Sequence, residues 1–262
     1  MRPPKSVFFI FSLLAAAPFL RGQMSLSLSP VQVEFVLSPG KSGEQLLVLG
    51  NGSANPIKVK AEIGAWTVGH PGVDIFPAEG AAALSSREWF RVEKFEFTVP
   101  PGESREVSVS VTVPESALPG HYTAAISFRT LSEPGAGDPA GGLSLQGKLT
   151  AFIIVTVGKP VDAGEVAGLA FERRNGQVIF VLRRKNAGRF FLPTEGEIIL
   201  RDAGGKRVYA ADFLDDPVPP LSERIFRIPI DRLLSPGRYQ AECLIRLLTG
   251  KKAMSKSPVI LE

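Results

Sequence analysis

Apolar and polar positions alternate with a period of two along most of this chain. Between residues 97 and 130 the pattern is clearest. Val107, Val109, Val111 and Val113 are separated by Ser108, Ser110 and Thr112, and Tyr122, Ala124, Ile126 and Phe128 by Thr123, Ala125, Ser127 and Arg129. Successive side chains of a strand point to opposite faces, so each run predicts a half-buried antiparallel strand. Upstream, residues 26–36 form a strand candidate interrupted by Pro30, which suits a first edge strand that changes partners. Residues 45–49 and 57–67 predict two more strands, the second ending near Trp66, whose indole is expected in the core. Residues 73–84 read as irregular edge material, and 89–99 as a strand whose Phe95 and Phe97 pack while Glu96 stays wet.

The corner PGHYTA at residues 119–124 returns as PGRYQA at 236–241, an offset of 117 residues. One β-rich unit used twice follows from that repeat. The second copy contains Asn175-Gly176, a two-residue hairpin signal, and strand candidates at 169–171, 178–182, 197–200, 207–213, 224–230, 239–247 and 257–261. Gly158-Lys159-Pro160 is the expected linker, giving an N-terminal domain over 23–158 and a C-terminal one over 159–262. No amphipathic helix is predicted, and 26 glycines and 22 prolines suit many short strands joined by turns.

Residues 143–157, LSLQGKLTAFIIVTV, depart from the ordinary pattern. Fifteen residues is long for a strand, and Phe152 and Ile154 make the otherwise polar even positions apolar. A long terminal strand of this kind is either paired within its own sheet or open to an added strand. The preceding EPGAGDPAGG at 133–142 is expected to be a loop; no helix follows it, which disfavours phosphate binding.

Charge and rare residues narrow the chemistry. Arg2 and Lys5 precede an apolar run at 7–17, the pattern of a cleaved signal peptide over 1–22. Nothing further on reaches a membrane span, so an exported protein without stable membrane insertion is expected. The net charge of +4 owes three basic residues to that leader, and the remainder is mildly acidic in the first half and basic in the second. Cys243 is the single cysteine, so no intrachain disulfide forms; the repeat aligns it with Ile126, a core position. The two histidines, His70 and His121, have no metal-ligand spacing, no nucleophile motif is present, and Asp215-Asp216 read as solvated turn residues. Neither catalysis, a cofactor nor a metal is expected. Arg183, Arg184 and Lys185, with Arg173, Arg174 and Arg189, bracket the Asn-Gly hairpin. They form either a charged face protecting an edge or a site for an acidic partner; export argues against nucleic acid.

The Trp66 strand, the run FTVPPG at 97–102, the VP…PG–Tyr corner at 113–122, the loop before the long strand and Pro160 together resemble the PapD-like periplasmic chaperones of pilus assembly. The resemblance implies an all-β protein of two tandem immunoglobulin-like β-sandwich domains, non-enzymatic and periplasmic. It implies that the last strand of the first domain adds to an incomplete pilin-type subunit, with Leu145, Leu149, Ala151, Ile153 and Val155 as the matching side chains. It offers Lys148 as the anchor for a subunit carboxylate, while Gln32 stands near the place where the family has an arginine. The alternative is an exported immunoglobulin-like binding module or structural envelope protein that recognises a cell-surface protein or anionic envelope polymer.

Overall fold

The computed structural model describes residues 26–66, 74–77, 84–131 and 147–261. The expected signal peptide, His70, the loop at 133–142 and Leu145 lie outside them. Within them the chain is all-β, with one short 3-10 turn at Arg87–Trp89, and forms four sheets stacked in two immunoglobulin-like sandwiches.

In the first sandwich one sheet runs β1 (Leu26–Ser29), β3 (Ser42–Asn51), β8 (Ser104–Thr112), β6 (Phe90–Val92). Facing it are β2 (Gln32–Leu37), β10 (Lys148–Val157), β9 (Gly120–Thr130), β4 (Ile57–Gly64) and β7 (Glu96–Val99). The interruption at Pro30, after a cis Ser29–Pro30 bond, is where the chain changes sheets: β1 pairs antiparallel with β3, and β2 parallel with β10. The predicted alternation fills the space between. Val107, Val109, Val111 and Val113 from one sheet meet Tyr122, Ala124, Ile126 and Phe128 from the other, all buried. Phe97 joins them, but Phe95 precedes β7 at a bend and is half exposed, so the two phenylalanines do not share a face.

The second sandwich stacks β11 (Gly164–Arg174), β12 (Gln177–Asn186) and β15 (Ser222–Pro229) on β14 (Arg207–Val218), β13 (Leu192–Arg201), β16 (Gly237–Arg246) and β17 (Lys252–Leu261). Asn175 and Gly176 both have positive φ, 51° and 79°, as a tight hairpin turn between β11 and β12 requires. Cys243 is fully buried beside Ile198 and Leu200. Burial pushes its thiol up to about 12, against the opposing pull of Arg184.

One pairing departs from the sequence reading. The edge material after Trp66 supplies β5 (Asp74–Pro77), which adds antiparallel to β15 and completes the sheet of the second sandwich, Ile75 opposite Arg224.

The repeat has a hydrogen-bonding counterpart. Tyr122 Oη donates to the Leu118 carbonyl at 2.8 Å, and Tyr239 Oη to the Ser235 carbonyl at 2.6 Å, so each tyrosine ties its corner four residues back. A second duplication was not visible in composition. Asn51 Nδ2 lies within hydrogen-bond distance of the carbonyls of Asn55, Val99 and Pro100, while its Oδ1 accepts from the Ser53 amide. Asn186 Nδ2 does the same with Phe190, Val218 and Pro219, and its Oδ1 accepts from the Gly188 amide. Both asparagines are buried, so nothing else could satisfy these carbonyls without admitting water.

Truncating either clamp therefore leaves several buried main-chain groups unpaired. Asn51→Ala and Asn186→Ala are each expected to cost about 3 kcal/mol in denaturant unfolding, and Tyr239→Phe about 1 kcal/mol. Equal losses for the three would show that the asparagines hold no more than one ordinary hydrogen bond apiece.

Candidate functional site

The strand singled out by its length, β10, is paired unequally on its two sides. Along its whole length it runs antiparallel to β9, from Lys148 opposite Arg129 to Val157 opposite Gly120. Its other side meets β2 only from Phe152 onward, where the Phe152 amide donates to the Val31 carbonyl at 2.9 Å. Main-chain groups of a strand alternate in direction, so Lys148 and Thr150 turn theirs to the same side as Phe152. Among the described residues no strand receives them there. Among the described residues the first third of β10 thus has no hydrogen-bonded strand on that side, with β1 passing near it, and the remainder is interior to its sheet.

Side-chain direction along β10 separates the expected contact residues. Ala151, Ile153 and Val155 point into the first sandwich and belong to its core; Ile153 is 1% exposed. Leu149 is half-buried, and Leu145 is not described. The outward side chains are Lys148, Thr150, Phe152, Ile154 and Thr156, and Phe152 is 37% exposed. Lys148 stands across from Arg129, whose Nη2 meets Glu62 at 2.8 Å. Eight residues separate Lys148 from Thr156, which places it about 27 Å along the strand from the end where the two sandwiches meet. Lys148 therefore stands at the end of β10 away from the junction of the two sandwiches.

That junction is built largely from residues the sequence reading passed over. Trp66 is not core. It follows the end of β4, lies on the outer face of the sheet, and its ring sits 5.1 Å from Phe152 and 6.3 Å from Phe191. Thr123 Oγ1 donates to the Trp66 carbonyl at 2.8 Å and ties it to β9. From the second sandwich, Arg189 Nη2 donates to Tyr122 Oη at 2.9 Å, and its Nε to the Pro119 carbonyl at 3.2 Å. A Cβ at Gly120 would come within 2.9 Å of the Arg189 Cβ and 3.0 Å of its carbonyl oxygen, so a side chain there would force the two units apart. Leu221, in a left-handed conformation with φ 49°, packs against the core of the first sandwich while its amide donates to Gly188 at 3.0 Å. Two signals were present in the sequence: the double aromatic Phe190-Phe191, and the loss of alternation at Phe152.

The basic run does not form a patch. Alternation puts Arg183 and Lys185 outside, where they face Glu223 at 3.1 Å and Glu165 at 3.8 Å. Arg184 points inward and is 1% exposed, donating through Nη1 to the Pro193 carbonyl. Burial lowers its pKa, with Asp162 pulling the other way. Asp215 and Asp216 are likewise not turn residues: they lie on β14, 3.3 and 3.5 Å from the buried Arg224 guanidinium. Among the described residues, no group of three or more His, Cys, Asp or Glu is placed to hold a metal ion, and no helix is long and apolar enough to cross a membrane.

Stability should follow this division. Arg183→Ala and Lys185→Ala are expected to change unfolding free energy by less than about 0.5 kcal/mol, as for exposed ion pairs. Arg184→Ala should cost about 3 kcal/mol, because the Pro193 carbonyl loses its donor and a large, fully buried side chain is removed from the interior. Similar small effects at all three positions would contradict the buried placement of Arg184.

No family model matches the chain, and no curated protein matches it. Among solved structures it is similar to the E. coli chaperone DraB, with 17% identity, 91% of this chain and 98% of that one covered, and a TM-score of 0.39. It is similar to a Salmonella enterica complex of the SafB chaperone with the SafA pilin, with 17% identity, coverage of 91% and 97%, and a TM-score of 0.44. The class 5 fimbriae chaperone CfaA gives 14%, 91% and 100%, and 0.46. At these identities and scores the likeness, to PapD-like fimbrial chaperones, is a loose one of architecture and transfers no function.

Proposed function

We propose that this chain is a non-enzymatic, chaperone-like protein of the periplasm that binds a pilin-type subunit by strand addition at the start of β10. The observation that carries the reading is the unequal pairing of that strand, held by β9 throughout but by β2 only from Phe152. An added strand would continue the line of β2 and hydrogen-bond to the main chain of Lys148 and Thr150. Main-chain bonds would supply affinity, and side chains beside the edge would supply selectivity. The added segment would cross next to Leu149 and the outward Thr150 and Phe152, whereas Ala151, Ile153 and Val155 would act by holding β10 flat against its own core. The unit boundaries at 23–158 and 159–262 belong to the same reading, with β5, among the described strands, the one that crosses between them.

An anionic-polymer binding module would need free cations, and Arg183 and Lys185 are already opposite carboxylates. Strand addition is therefore the better-supported function.

The test uses a substitution that spares the fold. Thr150→Pro removes an amide directed at the open side and leaves the ladder to β9 intact. It is expected to keep the unfolding midpoint within a few degrees while abolishing co-purification with a pilin-type subunit lacking its last strand. Hydrogen exchange on the wild-type complex should show new protection at Lys148 and Thr150. Undiminished capture by the Thr150→Pro protein, or protection elsewhere only, would refute the assignment. Ile153→Asp should unfold the first sandwich outright and is not a test of binding.

A further inference from the structure

His121 is the second residue of the inner strand β9, at the junction, and its ring is held by the other sandwich. Its Nδ1 accepts the main-chain N–H of Phe191 at 3.0 Å, and its own main-chain N–H donates to the Arg189 carbonyl at 2.7 Å. The ring lies edge-on to Phe190, with centroids 5.0 Å apart, and tilted against Phe191 at 5.5 Å. A ring nitrogen that accepts an N–H carries no proton, so this contact requires the neutral imidazole with its hydrogen on Nε2. Charging the ring would set one donor against another across the same gap.

The surroundings give the charged ring little compensation. On β2, Glu34 faces it and favours protonation. Thr156, its cross-strand neighbour on β10, carries no charge. In the 187–191 loop the one charged group is Arg189, committed to Tyr122 and Pro119. Among the described residues the ring contacts are Phe190 and Phe191, and the 3-10 turn packed against β9 carries Arg87 and Glu88, which are paired with each other at 2.9 Å. Burial consequently outweighs Glu34 and holds the His121 pKa below its ordinary value.

We infer that His121 is an acid-sensitive latch between the two sandwiches, whose protonation releases the Phe191 amide and loosens the junction. The sign follows from linkage. A histidine whose pKa is lower in the closed form stabilises that form fully above the open-state value, near 6.5. The stabilisation is lost as pH falls from there through the closed-state value. Each unit between the two values changes the closed-to-open ratio tenfold. Because the latch involves neither Lys148 nor Thr150, it stands apart from the strand-addition reading, and its readout needs no partner.

The experiment places dyes on Glu106→Cys and Leu233→Cys, one exposed position in each sandwich, with the buried Cys243 thiol unreactive. The inter-dye distance distribution is followed from pH 8 to pH 4.5, alongside NMR titration of the His121 ring. In the wild-type background the distribution should broaden below about pH 6.5, and His121 should titrate below that value. His121→Asn keeps an acceptor near the Nδ1 position and cannot become charged, so its distribution should stay constant over the range. Broadening that persists in His121→Asn, a wild-type distribution independent of pH, or a His121 pKa at or above the ordinary value would each overturn the latch. If His121→Asn fails to fold, the wild-type titration and distance profile still decide the matter.

Discussion

Main-chain groups at the rim of a sandwich have neither a neighbouring strand nor free water, and something must satisfy them. Here that demand falls on two buried asparagines. Asn51 and Asn186 stand at the ends of β3 and β12, where the chain leaves one sheet, and each gathers carbonyls from two separate segments. With a single cysteine, the chain has no covalent staple to hold its rims. Polar clamps at the ends and apolar alternation in the middle divide the work. The core sets which face is inside, and the clamps set where each sandwich closes. Asn186 also carries the 187–191 loop, so the contact surface of the junction is fixed by the same side chain that finishes the second core.

How far the fold was legible depends on what kind of information a residue pattern carries. A period of two reports faces, and every valine from Val107 to Val113 is buried as the alternation requires. Pro30 and Asn175-Gly176 act through local backbone geometry, and the change of sheet and the hairpin fall where they stand. Strand ends were less visible: β3 and β13 extend well beyond their predicted cores because pairing partners, not composition, decide where a ladder stops. The asparagine clamps were invisible for a related reason. An asparagine before a small residue reads as a turn, and only the carbonyls brought from distant segments make it a clamp.

The candidate site shows the same boundary between faces and edges. Alternation identified Ala151, Ile153 and Val155 as one row of β10, but could not say whether that row faced a partner or the chain's own core. Which side of a strand is open is a property of its neighbours, and that came only from the late start of the β2 pairing. Likewise Arg183, Arg184 and Lys185 look contiguous in sequence, yet a strand necessarily sends the middle one the other way. Trp66 was placed in the core by analogy with a third strand, whereas β4 ends two residues earlier and releases it to the outer face.

The strand β5 gives the molecule a history as well as a shape. Its partner β15 is roughly 150 residues further along, a separation that belongs to slow, non-local pairing. During synthesis the four residues emerge long before the sheet they complete. A fragment beginning at Lys159 would carry every residue of the second core and still present β15 with a bare edge, ready to pair with another copy. The two halves of the sequence are therefore not two separable proteins: the second is finished by a piece of the first.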